Sequence, residues 1–134
     1  RLDAGGAECG CKPVTQLNAS FNTRPPMQRI KGYHAHVYFD ASTIDQARAL
    51  CEEARQLFGV TMGRVHQRPV GPHPDWSCQL AFGPELIGIV LPWLALNRNG
   101  LVVFLHPDTG NDLLDHTDHA IWMGAIRPLD LSVF

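Results

Sequence analysis

Apolar and polar side chains alternate along residues 33 to 39, which read Tyr33-His34-Ala35-His36-Val37-Tyr38-Phe39. Such alternation predicts a β-strand, because successive side chains of a strand point to opposite faces of the sheet. The apolar side chains of this strand then face a hydrophobic core. The opposite face carries His34, His36 and Tyr38.

The pattern further along the chain predicts the element order β-α-β-β-α-β. Apolar residues recur every three or four positions after Thr43 and again after Pro84, as in helices that pack on a core. Shorter alternating or apolar runs separate and follow these segments. The predicted elements are a helix over 44–58, strands over 60–68, 75–82 and 101–105, and a second helix from 84 that Pro92 kinks or shortens.

This order is typical of an α+β, ferredoxin-like fold (βαββαβ). Four antiparallel strands lie in the order 4-1-3-2 in that fold, and the two helices cover one face of the sheet. Strand 1 is then central, and its histidine face looks onto the open side. We expect residues 107–134 or a second subunit to cover that side. Because the predicted domain is nearer 100 residues than 134, we expect a partner subunit to cover much of it, and therefore a homodimer.

Composition narrows the class of protein. The chain has 134 residues, 45% of them hydrophobic, and a net charge of −2, so it fits one domain with a real core. It has no positive field for nucleic acid or for an anionic membrane surface. The longest apolar stretch, 86–96, is about half of a membrane span. Its four cysteines predict buried free thiols in a reducing cytoplasm rather than a disulfide scaffold.

Residues 1–28 differ from the rest of the chain. They contain Gly5-Gly6 and Pro25-Pro26 and show no sustained helical or strand period. No basic segment precedes an apolar one there, so we expect no secretory signal. The sequence predicts a flexible N-terminal extension over 1–28, without a catalytic role, and one domain over 29–134.

The chain has seven histidines against two lysines, and the predicted fold brings some of the histidines together. His34 and His36 share one strand face. Strand 4 runs antiparallel to strand 1, so its end at His106 falls beside His34. Three neutral imidazoles with open coordination positions suit Fe(II), or Zn. The alternative is a set of surface or hydrogen-bonded histidines without a metal.

Other polar residues belong to the same open face or to its rim. Tyr38, Gln79 and Arg64 are predicted to contact a substrate, and an arginine there would pair with a carboxylate. A solvated strand arginine is the alternative for Arg64. His73, between two prolines, is either a further site residue or a rigid turn histidine. The remaining histidines are predicted to be surface, turn or supporting residues: His66, His116 and His119.

Three motifs resemble those of the DOPA 4,5-dioxygenase family, in its small fungal and bacterial type. They are His34-Ala35-His36-Val37-Tyr38-Phe39, Gly71-Pro72-His73-Pro74, and Leu105-His106-Pro107-Asp108-Thr109-Gly110 followed by Asp115-His116. The resemblance covers about residues 30 to 128. It implies extradiol cleavage of a catechol ring by O2 with a non-haem iron, and it marks His34, His36, His73 and His106 as site histidines.

The sequence therefore predicts a metal-dependent, extradiol-type dioxygenase that acts on a DOPA-like catechol and O2. His34, His36 and His106 are the predicted metal ligands, and His36 or His73 is the predicted catalytic proton carrier. The alternative is a metal or small-molecule binding module without turnover. A zinc hydrolase is the weaker rival, because no glutamate is placed to act as its general base.

Overall fold

The computed structural model describes residues 29–134, so the prediction for 1–28 lies outside the described residues. One antiparallel sheet and two main helices make up this part of the chain. In chain order the elements are β1 (Gly32–Phe39), α1 (Ile44–Phe58), β2 (Thr61–His66), β3 (Trp76–Phe82), α2 (Ile87–Asn97), β4 (Val103–Asp108), α3 (Asp112–Asp115) and β5 (Ile121–Met123). Short 3₁₀ turns occupy Pro84–Leu86 and Leu131–Val133.

The sheet has five strands, so the prediction of a four-stranded sheet is wrong. Its order is β2-β3-β1-β4-β5, and the first four strands take the predicted neighbours. The added strand β5 has three residues and pairs with the outer side of β4, where Trp122 lies opposite Phe104. A three-residue strand is too short to show alternation, which is why the sequence pattern did not reveal it.

Both main helices contribute to one hydrophobic core on the apolar face of the sheet. Ala35 and Val37 of β1 are fully buried there, as predicted from the alternation. Helix α1 ends at Gly59, whose φ of 69° suits a residue without a side chain. Pro92 does not end α2, which continues to Asn97. The core residues from the two helices are Ala47, Leu50, Cys51, Ala54, Val90 and Leu94.

Strand β4 differs from its predicted bounds in a way that matters for the site. It begins at Val103 and continues to Asp108, whereas the sequence predicted 101–105. His106 therefore lies within the strand, where it is a direct partner of His34 across the β1–β4 ladder. Between residues 29 and 134, no helix is long and apolar enough to cross a membrane.

Candidate metal centre

Three histidines meet on the sheet face opposite the helices. His34 and His36 come from β1, and His106 comes from β4 at the register position of His34. All three are brought together as the sequence predicted. Their ligand nitrogens lie within 4.8 Å of one another, and within residues 29–134 they are the one group of three ligand-type side chains at this spacing.

Two of these side chains already stand at the separation of two ligands on one ion. The Nε2 atoms of His36 and His106 are 3.1 Å apart. Two nitrogens that each lie about 2.1 Å from an ion, at bond angles between about 90° and 110°, are about 3.0–3.4 Å apart. The donor set therefore fits a metal ion without rearrangement of this pair.

A backbone carbonyl orients the His106 ring. Its Nδ1 lies 2.8 Å from the carbonyl oxygen of Pro107 and donates to it, so the lone pair of the neutral ring is on Nε2. The Nε2 of His36 must then either donate a proton to that lone pair or share a cation with it. Carbonyl-held imidazoles of this kind are typical of metal ligands.

Burial keeps these histidines neutral. It lowers the pKa of His106 to about 4, although the hydrogen bond to Pro107 opposes the shift. Burial, together with the neighbouring imidazoles, lowers the pKa of His36 well below its usual value. Burial also lowers the pKa of the more exposed His34, against the opposing charge of Asp108. Unprotonated imidazoles at neutral pH are the form that binds a metal.

His73 adjoins the centre without belonging to the group of three. It lies in the connection between β2 and β3, where its N–H donates to Val70 O at 3.1 Å and closes a turn. Its ring centroid is 4.1 Å from that of His36. The hydroxyl of Tyr38 lies 2.7 Å from His73 Nδ1. Burial lowers the pKa of His73 to about 4, and burial raises the pKa of Tyr38.

The end of the chain covers this face of the sheet. Trp122 of β5 stacks on the buried Phe104 with ring centroids 4.4 Å apart. The ring of His116 lies 4.2 Å from that of His106, and the ring of Phe134 lies 4.4 Å from that of His116. Residues 107–134 thus supply the cover that the open face required. The homodimer stays a prediction.

A buried carboxylate holds the segment that carries His116. Asp115 is 1% exposed and accepts hydrogen bonds from Thr109 N at 2.8 Å and Thr109 Oγ1 at 2.6 Å. His119 Nδ1 lies 2.8 Å from the same carboxyl group. Burial opposes ionisation of Asp115, but the hydrogen bonds from Thr109 and His119 hold its pKa below the usual value. His119 therefore supports the segment through Asp115 and does not belong to the group of three ligand-type histidines.

The predicted substrate contacts occupy different positions in the sheet relative to the centre. Gln79 of β3 is the register partner of His36, and Tyr38 follows His36 on the same face. Arg64 is exposed on β2, beyond β3. Its side chain makes no hydrogen bond or ion pair with any residue of the described part of the chain. Sequence reasoning missed Phe104 and Trp122, since no local pattern distinguishes an aromatic residue beside a site from one in a core.

The fold and the site together define an α+β protein with a histidine centre of the metal-binding type on one sheet face. A sequence model of the Dopa 4,5-dioxygenase family matches residues 33–133. The chain belongs to the DOPA 4,5-dioxygenase family. Membership supports an oxygenase activity.

Individual relatives agree with this assignment. The chain is 31% identical to a DOPA 4,5-dioxygenase of Amanita muscaria over 130 residues, with 90% of this chain and 55% of that protein covered. It is 38% identical over 124 residues to an uncharacterized 21.2 kDa protein of Botryotinia fuckeliana, with 83% and 68% of the two chains covered. The crystal structure of a provisionally assigned dioxygenase of Nostoc punctiforme is 41% identical, with a TM-score of 0.78 over 82% of this chain and 96% of that one. The chain thus spans little more than half of the Amanita enzyme.

Proposed function

We propose that this protein is a non-haem, metal-dependent dioxygenase that opens a catechol ring with O2 in the extradiol manner. The observation that carries the proposal is the convergence of three neutral imidazoles on one point of the sheet, with two Nε2 atoms 3.1 Å apart. The family assignment supports the oxygenase class.

His34, His36 and His106 are the proposed ligands, and Fe(II) is the proposed metal, with zinc as an alternative occupant of the same nitrogens. Fe(II) held there would supply the redox chemistry by which O2 reacts with a catechol. In the balanced reaction, the ring bond between one hydroxyl-bearing carbon and the adjacent carbon without a hydroxyl breaks, and both atoms of O2 enter the product.

His73 is the proposed proton carrier, because it is neutral and adjoins the centre without being one of its three ligands. A basic group must accept the second catechol proton and later return it. A pKa of about 4 makes His73 a weak base in the free protein. An anionic catechol bound beside it raises that pKa, since a negative neighbour favours the imidazolium. Tyr38 fixes the orientation of the His73 ring through the 2.7 Å contact.

The proposed substrate contacts follow from their places on the same face. Tyr38 and Gln79 border His36 along the strand and across the ladder, so they are proposed to contact the ring. Arg64 is proposed as a substrate contact at the edge of the sheet, and its position on β2 is the only support for this role. Phe104 and Trp122 exclude water from one side of the centre, which strengthens its electrostatic interactions.

The test is reconstitution with Fe(II) under anaerobic conditions, addition of a catechol, and admission of O2 while the visible spectrum is recorded. We expect a yellow ring-opened product. Bound iron without such a product across several catechols would favour a binding module without turnover.

Metal analysis tests the ligands separately from activity. His34→Ala, His36→Ala and His106→Ala are expected to lose bound metal, because each removes one of the three converging nitrogens. His66→Ala is the matched control, since His66 lies at the end of the edge strand β2. Full metal content in all three variants would place the metal elsewhere.

A further inference from the structure

A cavity of about 310 Å³ opens beside His34, at the end of the sheet where β1 begins and β3 ends. His34 lines it, and so do Ala81 of β3 and Thr61 of β2. These three residues are register partners across β1, β3 and β2, so their side chains lie on the same face of the sheet. One of the three proposed metal ligands therefore forms part of the cavity wall.

Aromatic rings fill the other sides of the histidine centre. They come from β4 and β5, from the connection before β3 and from the segment after β4, and they belong to Phe104, Trp122, His73 and His116. Three of them, all but Trp122, have ring centroids within 5.6 Å of the ring of His36 or His106. The cavity opens on the remaining side, over β3 and β2.

Small side chains keep the space over β3 and β2 open. Ala81 is the register partner of His34, and neighbouring strands lie about 5 Å apart, so an aromatic ring that starts at His34 would lie over Ala81. Gly63 of β2 lies next to Gln79 and has no side chain to fill the space there. A side chain larger than that of Ala81 would therefore occupy the place of the ring.

The chemistry of the cavity wall suits an aromatic ring. Ala81 and Thr61 offer methyl groups, and apolar walls with a few polar groups are typical of sites for small ligands. Lys31 and Asp108 also line the cavity. Their opposite charges offset each other, so the cavity does not favour an ionised substituent of either sign. Shape is therefore the property by which this wall distinguishes one ligand from another.

We propose, on the basis of the proposed function, that the catechol ring lies in this cavity and that Ala81 limits the size of the ring substituents that the protein accepts. Ala81 is a specificity-determining residue in this account and takes no part in the reacting bonds. Gln79 is two residues from Ala81 on the same face of β3, so it is the nearer of the proposed substrate contacts. Tyr38 is the register partner of Ser77 and lies further from the ring.

The experiment compares two ligands that differ in bulk, catechol and 4-tert-butylcatechol. Their dissociation constants for the Fe(II)-loaded protein are measured under anaerobic conditions, and the metal content is measured in the same samples. We expect Ala81→Leu, which narrows the cavity, to keep the metal and to weaken binding of 4-tert-butylcatechol about 10-fold more than binding of catechol. Ala81→Gly, which widens the cavity, should lower the ratio of the two constants below that of the wild type. Ala95→Leu, the same substitution at an exposed position of α2 on the other side of the sheet, is the matched control and should leave the ratio unchanged.

A ratio that stays constant in both Ala81 variants would overturn the assignment, and so would an equal change of the ratio in Ala95→Leu. If Ala81→Leu does not fold or does not bind metal, the ratio in Ala81→Gly decides alone. Subsequent admission of O2 tests the proposed function separately. Catechol binding without ring opening would contradict the function and leave the cavity assignment standing, whereas ring opening with a constant ratio would contradict the cavity assignment alone. Wild-type protein that binds neither ligand would contradict both.

Discussion

Metal-free protein is expected to lose stability as the pH falls from about 7.5 to 5, because buried histidines resist protonation. The pKa values of His73 and His106 are lowered from 6.5 to about 4 in the folded protein. Between these values the unfolded chain binds protons that the folded chain does not, so acidification favours unfolding. This loss of stability is absent above about pH 7 and is complete below about pH 4.

The size of the effect follows from the two shifts. At pH 5 each histidine lowers the free energy of unfolding by about 2 kcal/mol. Allowing for solvent screening at these rings, the pair lowers it by about 3 kcal/mol. That is a large part of the 5–15 kcal/mol that stabilises a typical domain. A bound metal ion competes with the same protons, so loaded protein should keep its stability to lower pH.

Urea unfolding of chelator-treated protein at pH 7.5, 6 and 5, followed by tryptophan fluorescence, measures this dependence. In the double variant His73→Asn/His106→Asn the part of the pH dependence that these two rings cause should disappear, and the remainder should come from His34 and His36, whose pKa values are also lowered. Wild-type stability that stays constant or rises between pH 7.5 and 5 would refute the claim that these imidazoles are buried and neutral.

Three substitutions test individual contacts. Tyr38→Phe removes the bond to His73, so we expect a loss of about 1 kcal/mol in urea unfolding and a lower kcat with unchanged metal content; an unchanged kcat would exclude a role for the hydroxyl. Asp115→Ala removes the buried acceptor of Thr109 N and Thr109 Oγ1, so it should lower the free energy of unfolding by about 3 kcal/mol in thermal unfolding. Asp115→Asn should recover part of that loss. Leu80→Ala, on the core face of β3, should cost about 2–5 kcal/mol without changing metal stoichiometry, and a loss of metal would show that core and centre are coupled.

Much of the fold was predictable because the alternation along β1 is strict. Residues 33–39 assign one face to the core and the other to the site, and the structure confirms that division at Ala35 and His36. The meeting of His34 and His106 followed from antiparallel pairing of β1 with the fourth strand. Strand β5 was not predictable, since three residues carry no period and their pairing depends on the exposed side of β4.

The centre was predictable in its ligand-type residues and not in its surroundings. The two histidines on β1 can be recognised from the local sequence pattern. The third, His106, can be recognised from the strand order, which places it opposite His34. The stacking of Trp122 on Phe104 depends on how a distant segment returns over the sheet. The contact between Arg127 and Asp75 has the same origin, because it joins residues 52 positions apart.

The most direct test of the central claim is the fate of labelled oxygen. Fe(II)-loaded protein is mixed anaerobically with a catechol, exposed to ¹⁸O2, and the product is analysed by mass spectrometry. A dioxygenase centre at His34, His36 and His106 predicts a ring-opened product that carries both labelled atoms, and its loss in His106→Ala. An unlabelled quinone with release of peroxide, or no consumption of O2 by protein with bound iron, would contradict it.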